Sequence, residues 1–178
     1  CNYEMNDTSN VFPVETSRTF EKAKHGELTF EAVFSITKSM DDFTINLREE
    51  NKNAISLITN GGSFYLQNNS GSDTFLFDYN EGAVYGLKII FDIDTDVIKE
   101  IYLNGKLLGM NYNFTTPVSY INYFTSSTGY EAVGSASYQV IKLYRGFNVN
   151  ETFTTSMNTV PDDFKASGSV TTLKSNAN

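Results

Sequence analysis

Apolar and polar positions alternate along most of this chain, most clearly over residues 85–109. Tyr85, Leu87, Ile89, Phe91 and Ile93 alternate with Gly86, Lys88, Ile90, Asp92 and Asp94, the period of a strand with one buried face. An acidic turn leads into a second β-rich run, Val97–Leu103, which Asn104-Gly105 closes. A type I′ turn needs positive φ at both central positions, so an Asn-Gly pair here predicts a tight hairpin. Three consecutive strands joined by short turns form an antiparallel meander.

The same period recurs elsewhere. Over 27–37 it sets Leu28, Phe30, Ala32, Phe34 and Ile36 on one face; after a turn at 39–42, Phe43, Ile45 and Leu47 alternate with Thr44, Asn46 and Arg48. Further runs lie at 54–59, 64–67, 74–79, 118–124 and 138–144, with turns at 60–62 and 68–73 and a Ser/Gly-rich loop over 126–137. That makes nine to eleven short strands with turn signals every 8 to 12 residues, and no sustained helical stripe. A single sheet could not hide these apolar faces. The expected fold is therefore all-β, a two-sheet antiparallel sandwich. Residues 1–24 read as polar and irregular, with apolar points at Val11, Phe12, Val14 and Phe20. From 148 onward the chain turns polar. Residues 1–147 are expected to form one sandwich module, and 148–178 a linker or the start of a following β-domain; a C-terminal strand that folds back is the alternative.

Composition narrows the partners. With 178 residues the chain suits one substantial core. Its 14 Phe and 11 Tyr favour a pleated, half-buried surface. The formal charge of −8 repels phosphate, so neither nucleic acid nor anionic lipid is an expected partner. No run is apolar enough to insert into a membrane, and no charged-then-apolar signal peptide is present, so the chain reads as soluble and mature or trimmed. The single cysteine, Cys1, excludes an internal disulfide and a thiolate metal cluster; it reads as the chain boundary or as the lipidated first residue of a lipoprotein. Four Asn-x-Ser/Thr sequons arise by chance in so Asn-rich a chain.

Four segments carry a family resemblance: GELTFEAVFSI at 26–36, FTINLRE at 43–49, FDIDTDVIKEIYLNGKLLG at 91–109 and YQVIKLYRGF at 138–147. In this order they resemble the concanavalin A-like lectin/glucanase superfamily, which implies that the two-sheet antiparallel sandwich is a jelly roll. Within it the chain looks most similar to the laminin-G-like, non-catalytic modules of secreted bacterial polysaccharide-degrading enzymes, rhamnogalacturonan-type lyases among them. The tail at 147–168 also resembles the opening of a β-domain that follows such modules. This resemblance implies an extracellular location, a polysaccharide or oligosaccharide ligand and adjacent domains in the parent chain. It leaves a structural calcium open, but the final strand reads Ser137-Tyr138-Gln139-Val140, where related modules carry acidic residues.

Catalytic patterns of the superfamily are missing. Its glucan hydrolases use a Glu-x-Asp-x-x-Glu strand, two carboxylates on one face. The nearest run, Asp92-Ile93-Asp94-Thr95-Asp96, lacks that spacing. Jelly-roll lyases use an Arg/Glu/Arg strand and a Gln-Ile-His element. Here the one histidine, His25, stands in a polar loop with no evident partner, and reads as solvated. Asp92, Asp94 and Asp96 lack the glycine and glutamate of a calcium loop and read as a solvated hairpin end.

Sugar recognition needs aromatic rings to stack on a pyranose, and planar polar groups to meet its hydroxyls. Thr44, Asn46 and Arg48 project away from one apolar face, Tyr65 and Gln67 away from Phe64 and Leu66, and Tyr123 stands near the last strands. These six are the candidate ligand-binding residues. Lys142 either joins them or only solvates its strand. A guanidinium at Arg48 suits a carboxylate, which points to a uronic-acid-containing glycan. The leading expectation is a non-catalytic carbohydrate-binding module that tethers a secreted enzyme to polysaccharide. A catalytic jelly-roll lyase or hydrolase, and a purely structural or adhesive sandwich, are the alternatives.

Overall fold

The computed structural model describes residues 3–146, together with the backbone of 164–167. Thirteen strands run through these residues, and none of them is helical. In chain order they are β1 (Tyr3–Asp7), β2 (Glu15–Ala23), β3 (Glu27–Lys38), β4 (Thr44–Glu49), β5 (Lys52–Asn60), β6 (Ser63–Leu66) and β7 (Thr74–Asp78). The rest are β8 (Val84–Asp92), β9 (Val97–Leu103), β10 (Lys106–Asn113), β11 (Ile121–Ser127), β12 (Gly134–Arg145) and β13 (Phe164–Ser167). They form a two-sheet antiparallel jelly-roll sandwich. One sheet has six strands in the order β1-β12-β3-β8-β9-β10; the other has seven, β13-β2-β11-β4-β5-β6-β7.

The alternation sets the faces as the sequence predicts. Leu28, Phe30, Ala32, Phe34 and Ile36 of β3 are wholly buried, as are Leu87, Ile89 and Phe91 of β8. Asn104 and Gly105 take φ of 51° and 79°, the two left-handed positions that a type I′ turn requires. Rings from the two sheets meet in the middle. Phe34 of β3 packs edge-on to Phe64 of β6 at 5.7 Å, and Phe30 stacks on Phe124 of β11 at 6.0 Å.

Three expectations need correction. Residues 1–24 are not irregular: they hold β1 and β2. The signal was weak because the inward side chains of β2 include Thr16 and Arg18, both buried, so polar residues stand where the pattern needs apolar ones. Nor is 126–137 all loop, since β11 runs through Ser127 and β12 starts at Gly134. Ser126 is fully buried and donates to Thr44 O at 2.8 Å, so small polar residues extend the strand by finding polar partners. Lys142 pairs with Glu31 on the six-stranded sheet and cannot join the other candidates.

Most of the tail at 148–178 lies outside the described residues. Phe164–Ser167 pairs antiparallel with Glu15–Arg18 of β2, so these four residues do fold back as an edge strand.

Phe64 touches the rings of Phe34, Phe43, Phe77 and Tyr79. Phe64→Ala should therefore cost roughly 3–5 kcal/mol in urea unfolding. Tyr65→Ala, one residue along and on the opposite face, should stay within about 1 kcal/mol of the parent. Equal losses at the two positions would contradict the assignment of faces.

Candidate functional site

The seven-stranded sheet turns its polar side outward, and cross-strand register collects the candidates there. Arg48 of β4 lies between Tyr123 of β11 and Asn53 of β5. Asn46 lies between Thr125 and Ser56, and Thr44 between Ser127 and Ile58. Ile58 pairs onward with Tyr65 of β6, which pairs with Phe75 of β7. Thr44, Asn46, Arg48, Tyr65 and Tyr123 thus share one face. Gln67, just beyond β6, reaches the same face through Ser56.

A hydrogen-bonded network fixes the centre of this face. Asn46 Nδ2 donates to Thr44 Oγ1 and Thr125 Oγ1, both at 3.1 Å, and Thr44 shares a 2.8 Å hydrogen bond with Ser127. Ser56 Oγ lies 2.6 Å from Asn46 Oδ1 and 2.6 Å from Gln67 Oε1; its single proton serves one at a time. Asn46 is only 6% exposed and its amide is occupied on both ends. Its part is to position Thr44 and Ser56. Arg48 Nε and Asn53 Oδ1 are buried without a partner. One is a donor and the other an acceptor on neighbouring strands, the pairing that a buried bridging water satisfies.

At the loop end of the face two adjoining hollows of about 320 and 440 Å³ share Asp42 and Ile58. Tyr65 and Asp73 line the first, Thr44, Ser127, Tyr130 and Glu131 the second. Tyr65 is held edge-on to Phe75 at 5.9 Å, and Tyr130 is 70% exposed. Hydrogen bonds brace the turn at 40–42, which both hollows share through Asp42. Asp41 Oδ1 accepts from Gly61 N at 2.8 Å, and Thr59 Oγ1 donates to Met40 O at 2.8 Å. Sequence reasoning missed Tyr130, Asp42, Ser56 and Thr125. Tyr130 had a readable signal, a lone ring in a Ser/Gly loop; the others depend on register.

The acidic hairpin end and His25 are linked, which the sequence did not show. His25 Nδ1 lies 2.9 Å from Asp94 Oδ1, and Gly26 N donates to Asp94 Oδ2 at 3.0 Å. The hydrogen bond with His25, then that from Gly26, hold the Asp94 carboxyl below its ordinary range. Asp92 Oδ1 accepts from Asp94 N, and Asp96 Oδ1 from Val118 N. Each carboxylate has its own structural partner, so the three do not converge. Among the described residues no group of three or more metal-ligating side chains comes together, and no helix is long and apolar enough to cross a membrane.

No protein-family model matches the chain, and no curated protein matches it in sequence. Solved structures do share its fold. A sialidase aligns at a TM-score of 0.61 with 18% identity, over 81% of this chain and 15% of the sialidase. A heptameric SAP-like pentraxin from Limulus polyphemus aligns at 0.53 and 10%, over 93% of this chain and 94% of the pentraxin. Trypanosoma rangeli sialidase aligns at 0.51 and 12%, over 69% and 21%. The chain thus spans a small part of both sialidases. The likeness is one of fold, a two-sheet jelly roll.

Two measurements check these contacts. A lowered folded pKa stabilises above the unfolded value of about 3.9 and is lost as pH falls through the folded one. The Asp94 carboxyl resonance should titrate below that value and rise toward it in His25→Ala. Separately, a Cβ at Gly129 would stand 2.7 Å from Asp42 Cβ and 3.1 Å from Asp41 O. Gly129→Ala should push the Tyr130 loop off the turn, seen as amide shifts at 41–44 and 128–131 with the core resonances unmoved.

Proposed function

We propose that this chain is a carbohydrate-binding sandwich whose ligand lies across the outer face of the seven-stranded sheet. The observation that carries this reading is the convergence of Tyr65, Tyr123, Arg48, Thr44 and Gln67 on one face beside two adjoining hollows, one lined by Tyr65 and the other by Tyr130. Rings offer apolar faces to a pyranose, while hydroxyls and amides meet its hydroxyls. The Asn46–Ser56–Thr125 network holds these groups in place before a ligand arrives, which lowers the ordering cost of binding.

The finer reading follows from charge. Asp42, Asp73 and Glu131 at the loop end favour an uncharged sugar unit there, while Arg48, opposite Tyr123, suits a carboxylate. An acidic, uronic-acid-containing glycan laid along the strands would meet both. We place residues 1–147 as a non-catalytic module of a secreted bacterial polysaccharide-degrading enzyme. Residues 148–178 then form the linker or the opening of a following β-domain, with β13 as a strand that the linker lays on the sandwich edge. Fold likeness to small parts of two sialidases supports a place beside a glycan-active domain. Affinity for one site is expected to be micromolar to millimolar, at roughly −4 to −8 kcal/mol.

The test is titration with acidic and neutral oligosaccharides, read by amide shifts and calorimetry. Arg48→Ala should weaken the acidic ligands about tenfold or more and spare the neutral ones, a loss of ~1.4 kcal/mol. Tyr65→Ala and Tyr123→Ala should weaken both. Retained affinity for acidic glycans in Arg48→Ala would remove the uronic-acid reading. An absence of shifts on this face with every glycan would remove the whole proposal.

A further inference from the structure

The opposite face of the sandwich holds a larger hollow, of about 520 Å³, on the six-stranded sheet. That volume falls within the roughly 300–1,000 Å³ of small-ligand pockets. Gly86 of β8 lines it together with Glu31, Lys88, Tyr102, Asn104 and Gly105. Gly86 has no positive φ, and a Cβ there would find its nearest neighbour, Asn104 Oδ1, 3.7 Å away. Neither backbone strain nor crowding requires a glycine here. What the glycine leaves is space.

The groups around that space are fixed by partners on their far sides. Tyr102 donates its hydroxyl to Glu100, which sets the ring. Glu31 Oε2 accepts from Tyr144 at 3.0 Å, and Asn104 Oδ1 accepts from Gly86 N at 2.7 Å. Glu31 Oε1 and Asn104 Nδ2 therefore keep hydrogen-bonding capacity for something else. Glu31 and Lys88 are direct cross-strand partners of opposite charge, an arrangement that closes into an ion pair on an ordinary solvated face. They form none; Lys88 Nζ sits 6.0 Å from the Tyr102 ring centroid instead. The result is a carboxylate acceptor and an ammonium donor on adjacent strands, both lining the hollow beside a fixed ring.

We propose that this hollow is a second saccharide site, independent of the seven-stranded face, and that it takes an uncharged sugar unit. A vicinal diol matches this pair because one hydroxyl donates to Glu31 while its neighbour accepts from Lys88. Asn104 supplies a further donor and the Tyr102 ring the stacking surface. Among the groups that line the hollow the charges of Glu31 and Lys88 cancel, Lys142 on the other side of Glu31 lying outside the lining, so the hollow selects neither a uronate nor an amino sugar. A module with sites on both faces would bridge two glycan chains.

The experiment titrates the isotope-labelled full chain with cellohexaose, xylohexaose, mannohexaose and maltohexaose, up to about 10 mM because single-site affinities of this kind reach the millimolar range. At least one should shift the amides of Gly86, Lys88, Tyr102 and Gly105 in fast exchange. Gly86→Val, a β-favouring residue whose Cβ makes only an ordinary 3.7 Å contact with Asn104, should abolish those shifts, and Tyr102→Ala should do the same should the valine variant misfold. Tyr65→Ala should leave them intact, which separates this site from the one on the other face. No shift at these amides with any of the four sugars would overturn the proposal, as would shifts that persist in a folded Gly86→Val or Tyr102→Ala chain.

Discussion

Contact between aromatic rings across the two sheets is the constraint on which the other features rest. Phe34 of the six-stranded sheet meets Phe64 of the seven-stranded one, and Phe124 meets both Phe30 and Tyr138. Burying such rings removes the largest apolar areas in the chain from water. Because side chains alternate along a strand, committing Phe64 and Phe124 inward commits Tyr65 and Tyr123 outward. A one-residue slip would exchange the two sets and place a tyrosine face in the core. The outer face is thus a by-product of packing before it is a binding surface.

What packing leaves outward is then organised by polar contacts. Asn46, Ser56 and Thr125 come from three adjacent strands and are all nearly sealed from solvent. Unsatisfied, each would cost about 1–3 kcal/mol, and together they are satisfied mainly by one another. The network also fixes register, since its members meet only when β4, β5 and β11 align as they do. Stability and site geometry rest here on the same bonds.

Much of this was legible in the chain. The Asn104-Gly105 turn and the alternation in β3 and β8 depend on neighbours a few residues apart, and both read correctly. The outward direction of Thr44, Arg48 and Tyr65 followed from the same period. What stayed hidden depends on residues far apart. His25 and Asp94 are separated by 69 positions, and Thr125 meets Asn46 across 79. No local pattern marks such pairs. The strands β1 and β2 were missed for a different reason: Asp7, Thr16 and Arg18 are buried polar residues, and a rule that equates inward with apolar fails there. Asp7 is reconciled with burial by the Thr128 hydroxyl and by Ser9 N, neither of which composition could foretell.

The two faces also differ in how they would grip a ligand. On the seven-stranded face part of the lining comes from loops: Tyr130 sits in the β11–β12 connection, and Asp42 occupies a left-handed turn position with φ 59°, while Thr44, Ile58 and Tyr65 stand on strands. On the six-stranded face every lining group except the Asn104-Gly105 turn belongs to a regular strand. Strand-borne groups are held by ladder bonds on both sides, so such a site has little freedom to adapt. Loops can move to follow a varied glycan, at an ordering cost on binding. Selectivity for sugar stereochemistry should therefore be sharper on the six-stranded face and tolerance broader on the other.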